Sequence, residues 1–219
     1  MTVFRLKILI SAGPTRESLD PVRYLTNHST GEMGYALARA FRAQGHSVTL
    51  VSGPTALRAP RGVRFVSITS ALELQRVLRR LFVSHHLLVM SAAVCDFMPA
   101  QFCAQKIRRS GGLTLRLKKT PDIVASLAAR KGKRKVIGFC LETSKWLEGA
   151  RRKLAAKKLD GIVATYLGPR HRPFGQGKVT MALMTPDGRL QRLNSRPKAR
   201  IAQAIAKWAQ RIWFLDRTK

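Results

Sequence analysis

Two spacings of apolar residues alternate along this chain. Short β-branched runs recur, and between them apolar residues return every three or four positions. "FRLKILIS" at 4–11 reads as a buried strand. Over 31–44, Met33, Leu37, Ala40 and Phe41 share a helical face, and Gly45 ends the helix. "SVTLVS" at 47–52 and "VRFVSI" at 63–68 read as strands, and Gly53-Pro54 breaks the first. Residues 70–82 predict a helix carrying Leu72, Leu74, Val77, Leu78 and Leu81. "HLLVMSAAV" at 86–94 is an apolar strand, followed by a less regular stretch over 95–112. "LTLRLK" at 113–118 alternates as a half-exposed strand does. Thr120 as N-cap, Pro121 at the first helical position and Asp122 in the first turn then signal a helix start. Residues 135–140 read as a strand, 144–158 as a helix and 160–165 as a strand. "KVTMALMT" and "RLQRL" flank Pro186-Asp187-Gly188, a hairpin signature. A last helix over 196–215 aligns Ile201, Ile205, Trp208, Ile212 and Leu215.

Strands alternating with helices predict an α/β fold, a Rossmann-like three-layer sandwich with a mostly parallel sheet and a C-terminal β-hairpin. One domain over 1–219 is expected, with a core over 3–165 and the hairpin and terminal helix over 177–215. Ligands of such sheets bind beyond the carboxyl ends of the strands. The loops after "KILIS", "LVMSA" and "VIGFC" are therefore where chemistry is expected.

Composition narrows the class. The 219 residues are 45% hydrophobic, enough for a sizeable core. No apolar run approaches the roughly 18 residues of a membrane span. The N-terminal apolar run leads straight into a turn and lacks the pattern of a secretory signal, so a cytoplasmic location is expected. Cys95, Cys103 and Cys140 form no C-x-x-C, and the five histidines show no metal-ligand spacing. The charge is the largest departure: 41 Lys and Arg against 11 Asp and Glu, a net +30. Such a field attracts polyanions, whether nucleic acid or a triphosphate. The basic residues are dispersed from Arg5 to Lys219, which weakens the nucleic-acid reading.

Four segments look chemical. Residues 11–34 are a long link between a first strand and its helix, and long loops are often functional. The helix entrance offers free N–H groups to an anion. An ordinary cap at Ser29, Thr30 and Gly31 accounts for neither the loop length nor Arg16 and Arg23. No G-x-G-x-x-G occurs there, and no Tyr-x-x-x-Lys occurs in the chain, so a nicotinamide oxidoreductase is not supported. In residues 90–112, small Ser91, Ala92 and Ala93 let a ligand approach the strand end. Asp96 can accept from a base or ribose, or hold a metal. Lys106 sits in a basic cluster before Gly111-Gly112, which reads either as a flap over phosphates or as a solvated charge run. "TPDIV" at 120–124 is fully explained as a helix start, and its N–H groups could also serve a ligand. Lys153 and Lys157 share a helical face with no acid at that spacing, a focused positive site or an exposed basic face.

In order, "SAGPTRESLDPVRYLTNHSTGEMGYALA", "VSGPT", "SAAVCDFMP", "QKIRR", "TPDIVASL", "IGFCLET" and "ARRKLAAKKLD" cover most of 8–165. Together they resemble phosphopantothenoylcysteine synthetase (phosphopantothenate–cysteine ligase), often the C-terminal half of a bifunctional bacterial flavoprotein of coenzyme A biosynthesis. The resemblance implies a two-step ligation of 4'-phosphopantothenate to L-cysteine through an acyl-cytidylate, with CTP as co-substrate and Mg2+ as metal. Base selection lies in pocket shape, so CTP rather than ATP rests on the resemblance alone. It also implies a homodimer. A flavin-dependent decarboxylase would be a separate chain. Nucleic acid and membrane are not expected partners, although a nucleic-acid-binding protein on a ligase-derived scaffold is the alternative that would explain the charge.

Residue by residue, the resemblance assigns Asn27 to the acyl-nucleotide stage and Lys106 to turnover on a flap. Arg23, Asn27, Ala92 and Ala93 match positions beside phosphopantothenate. Met90, Ser91, Ala92, Asp96 and Lys106 match nucleotide positions, as do Pro121, Asp122, Ile123, Val124, Phe139, Lys153 and Lys157. The chain departs from the family pattern at Glu32, where a basic residue is usual, and at His28, where arginine is usual. "VATYL" at 163–167 lacks the usual Ala-Asn-Asp, and "PFGQGKV" at 173–179 lacks the usual acidic or asparagine-bearing segment.

Overall fold

The computed structural model describes residues 5–109, 111–168, 173–174 and 177–215. Phe4 of the first predicted strand, Gly175 and Gln176 of "PFGQGKV", and the side chain of Leu215 lie outside the described residues.

Five strands form a parallel array: β1 (Lys7–Ala12), β4 (Ser47–Ser52), β5 (Arg64–Ser67), β6 (Leu87–Met90) and β9 (Lys135–Glu142). β10 (Gly161–Tyr166) joins them in parallel beside β9. The predicted hairpin follows as β11 (Lys178–Met184) and β12 (Leu190–Pro197), both antiparallel. The order is β12-β11-β10-β9-β6-β1-β4-β5, one eight-stranded sheet. The central strands are apolar runs because both faces are covered. Ile8 and Ile10 point to one face and Leu9 to the other.

Helices α1 (Glu32–Ala43) and α5 (Lys198–Leu215) cover the first face. Leu37 and Phe41 of α1 and Ile201 and Ile205 of α5 are fully buried there, while Trp208 and Ile212 pack at its margin. Helices α2 (Ala71–Phe82), α3 (Ile123–Ala128) and α4 (Trp146–Ala156) cover the other. In α2, Leu74, Leu78 and Leu81 face the sheet, but Leu72 is exposed. Ser70 caps α2 by accepting from the Glu73 amide, and Glu73 accepts from the Thr69 amide in return.

Several boundaries differ from the sequence expectation, each for a physical reason. Residues 11–34 are not wholly irregular: β2 (Arg16–Ser18) and β3 (Tyr24–Thr26) pair as a small antiparallel ribbon. Three-residue strands leave too little periodicity to see. The strand expected over 113–118 is instead β8 (Leu117–Lys119), paired with β7 (Phe97–Pro99) outside the main sheet. Its residues are all exposed, so the alternation of "LTLRLK" marks no core face. The strand predicted over 86–94 ends at Met90. Helix α3 begins at Ile123 with Asp122 as N-cap, accepting from the Ala125 amide at 3.0 Å. Thr120 is not the cap, because its hydroxyl donates to the Cys95 carbonyl. Lys157 stands at the C-cap of α4, one residue past the helix.

Candidate functional site

The helices change face between β1 and β6. The α1 crossover from β1 lies on one side, and the α2 crossover into β6 lies on the other. The carboxyl ends of two such strands splay their loops apart and leave a crevice. A cavity of about 860 Å3 opens there.

Hydrogen bonds fasten the two strand ends together. The Ser11 hydroxyl accepts from the Ala92 amide at 3.1 Å, and the Ser91 hydroxyl donates to the Ser11 carbonyl at 2.6 Å. The Ala93 amide donates to the Gly13 carbonyl, and the Ala93 carbonyl accepts from the Thr15 amide. Asn27 follows β3 directly, and its Nδ2 donates to that same Ala93 carbonyl at 3.1 Å. This bond fixes the amide at the cavity wall. Ser11 opens the 11–34 segment but does not stand out within it, because it also reads as the last residue of the strand.

Helix α1 enters without a side-chain cap. Gly31 occupies the left-handed region at φ 81°, and its amide donates to the Ser29 hydroxyl. The expected Ser29–Gly31 cap is therefore a backbone turn. Gly34 lets α1 approach the sheet, because a Cβ there would lie 2.4 Å from Ala12 Cβ and 2.9 Å from Ser91 Oγ. The first-turn amides and the positive end of the helix dipole face the cavity.

The cavity brings together most of the residues singled out in the sequence. Asn27, the run from Met90 to Ala93, and Asp96 line it. Pro121 to Val124, Phe139, Lys153 and Lys157 line it as well. The two lysines are not without acids, contrary to the expectation from helix spacing. Lys153 Nζ lies 2.7 Å from Glu142 Oε1, and Lys157 Nζ lies 2.9 Å from Asp122 Oδ2. The partners come from β9 and the α3 cap, which spacing along one helix could not reveal.

Arg16, Arg23 and Lys106 are not among the lining residues. Arg16 lies over the Tyr24 ring, 4.5 Å from its centroid, within the β2–β3 ribbon. Arg23 pairs with Asp20 and donates to the Ile107 carbonyl. Both arginines thus have work inside the ribbon. Asp20 also accepts from the amides of Val22, Arg23 and Ile107. Burial opposes its charge, but those amides and the guanidinium outweigh burial and hold its carboxyl down at about 2. Lys106 is exposed, one residue before this anchor.

Two cavity residues escaped sequence reasoning as a pair. Glu32 lines the cavity, and Lys198 Nζ lies 2.6 Å from its Oε2. Lys198 is 166 positions away along the chain, so no local pattern links them. The cysteines stay apart from the chemistry. Burial pushes the Cys140 thiol up to about 11 and raises that of Cys95, while Cys103 is exposed. Among the described residues, no three His, Cys, Asp or Glu stand together as a metal site, and no helix is long and apolar enough to cross a membrane.

The fold has known counterparts. A coenzyme A biosynthesis bifunctional protein CoaBC from Vibrio parahaemolyticus is 44% identical over 187 residues, covering 84% of this chain and 47% of that protein. The CoaBC of Bacillus subtilis is 39% identical over 188 residues, covering 85% and 46%. The chain thus spans about half the length of the curated relatives it matches. The crystal structure of a CoaBC C-terminal domain superposes with a TM-score of 0.82 at 31% identity over 100% of both chains. A mutant of Cab2 in complex with phosphopantothenate-cysteine shares the fold at a TM-score of 0.78 and 16% identity, covering 98% of this chain and 89% of that one. Residues 4–212 match the DNA/pantothenate metabolism flavoprotein C-terminal domain, and the chain belongs to that family.

Proposed function

We propose that this chain acts in coenzyme A biosynthesis, joining 4'-phosphopantothenate to L-cysteine with CTP as the activating nucleotide. One observation carries the reading. A single crevice at the switch of the sheet gathers Asn27, the Met90–Ala93 strand end, Asp96, the 121–124 turn, Phe139 and two held lysines. The full-length likeness to a CoaBC C-terminal domain supports the same reading.

The chemistry needs activation, because a carboxylate is a poor electrophile. In the first step, a carboxylate oxygen of the acid attacks the α-phosphorus of CTP and pyrophosphate leaves. In the second, the cysteine amine attacks the acyl carbon. The acyl C–O bond breaks, CMP leaves with the electron pair, and the nitrogen gives up its proton to solvent.

No covalent protein nucleophile is needed. Lys153 and Lys157 stabilise negative charge on the nucleotide phosphates, and their acids hold them in place. Asn27 orients the activated acyl group from its anchored position. Ala92 and Ala93 keep the strand end open to a close ligand. Lys106 and its loop close over the phosphates, and Arg23 supports that closure through Ile107.

Magnesium belongs to this reading as the partner of the triphosphate, whose charge it would partly neutralise. It is ordinarily held by one or two carboxylates plus substrate phosphates. Asp96, at the cavity wall, is the carboxylate that would share it with the phosphates. A homodimer completes the proposal, and sedimentation velocity tests it.

Pyrophosphate release from CTP tests the reading, with the acid and cysteine omitted in turn. Release should require CTP and the acid, and sustained CMP formation should require cysteine as well. No release under any condition contradicts the ligase. Steeply salt-dependent binding to generic DNA or RNA would favour a nucleic-acid protein instead.

A further inference from the structure

The Glu32–Lys198 pair sits on the α1 and α5 side of the crevice, opposite the Lys153 and Lys157 pairs on the α3 and α4 side. Both side chains line the cavity, and both are largely buried, 25% exposed for Glu32 and 12% for Lys198. Lys198 opens α5, where a cation meets the positive end of the helix dipole. The stability of α5 alone therefore does not account for a lysine there. Glu32 offsets that cost and holds the ammonium at the cavity wall, 2.6 Å from its Oε2.

We infer that Glu32 and Lys198 form the seat of the amine substrate, a zwitterionic α-amino acid, with its ammonium on Glu32 and its carboxylate on Lys198. This rests on the ligase reading above. The pair presents both signs of charge side by side, as an α-amino acid does. An anion without an ammonium would meet Glu32 as well as Lys198 and be repelled by one of them. At the opposite end, Lys119 adds a further cation to the two ion pairs, which suits phosphates. The ammonium first gives up a proton, which Glu32 as its partner takes and passes to solvent. The free amine then reaches the acyl carbon while the nucleotide is still held, so its seat belongs on the side away from Lys153 and Lys157. Met33 and Met181 lie on that side and line the cavity, giving a thiol side chain a soft apolar wall.

The test compares L-cysteine with cysteamine, which keeps the ammonium and thiol but lacks the carboxylate. The wild-type protein is first assayed for pyrophosphate release from CTP and phosphopantothenate without any amine. Lys198→Met should raise the KM for cysteine roughly ten- to hundredfold, the weight of a charge-assisted hydrogen bond. That rise should exceed any change in the KM for CTP or the acid. The preference for cysteine over cysteamine should shrink in this variant. Glu32→Gln should raise the KM for both amines. The double variant Glu32→Lys with Lys198→Glu keeps an ion pair and thus the packing, and its KM for cysteine should stay raised. Recovery of normal cysteine kinetics in the swapped protein would make the pair merely structural and overturn the inference. An unchanged cysteine-to-cysteamine preference in Lys198→Met would overturn it too. A shift confined to the KM for the acid would reassign the pair to its phosphate. No pyrophosphate release by the wild-type protein would overturn the ligase reading, and this inference with it.

Discussion

The amide of Ile107 donates to Asp20 Oδ2 at 3.0 Å, tying the loop that carries Lys106 to the ribbon that leads into Asn27. Two segments more than eighty residues apart thus share one anchor. Asp20→Asn would keep the shape but remove the charge that the three amides and Arg23 satisfy. Amide exchange at Ile107 should speed up, and turnover should fall. Unchanged protection at Ile107 would show that the anchor does not hold the loop.

The same carboxyl gives a pH signature. Its folded value of about 2 lies below the usual 3.8. A depressed carboxylate contributes stability that is present above its unfolded value and lost as pH falls through its folded one. The Asp20 contribution should therefore fade from about pH 4 down to about pH 2. Acid unfolding curves of the wild type and Asp20→Asn should converge over that window. Parallel curves would contradict the assignment.

Asn27→Asp replaces the Nδ2 donor with an anion beside the Ala93 carbonyl. Turnover should drop by about 10²–10³, the scale of a lost charge-stabilising donor. The acyl-nucleotide should accumulate, read by quenched-flow mass spectrometry. Unchanged turnover would remove Asn27 from the mechanism.

Lys106→Gln should slow turnover while the melting temperature stays put, because Lys106 is exposed. A normal rate would make the basic cluster merely solvated.

Gly34→Ala drives a methyl group into Ala12 and Ser91. Overpacking of this kind costs about 1–3 kcal/mol, and it should widen the crevice between α1 and the strand ends. Equilibrium denaturation measures the loss, and wild-type stability would show that α1 can shift without cost.

The sheet was legible because its buried strands are apolar runs punctuated by Gly and Pro. Val48–Val51 before Gly53-Pro54 is the clearest case. The ribbons were not, because 16–18, 24–26 and 97–99 are too short to show a period. The strand-end and helix-entrance residues of the crevice stood out by their small size and irregular setting. The charges were misjudged, because spacing along one helix shows only neighbours on that helix. Lys153, Lys157 and Glu32 all find partners on other elements. Arg16 and Arg23 likewise find partners in and around a ribbon that the sequence does not reveal.

The acyl-cytidylate is the centre of the account, and oxygen tracing tests it most directly. Phosphopantothenate labelled with 18O in both carboxylate oxygens is turned over with CTP and cysteine, and the CMP is weighed by mass spectrometry. Attack of the carboxylate on the α-phosphorus predicts one 18O in each CMP and one in the amide product. CMP free of label would contradict the account.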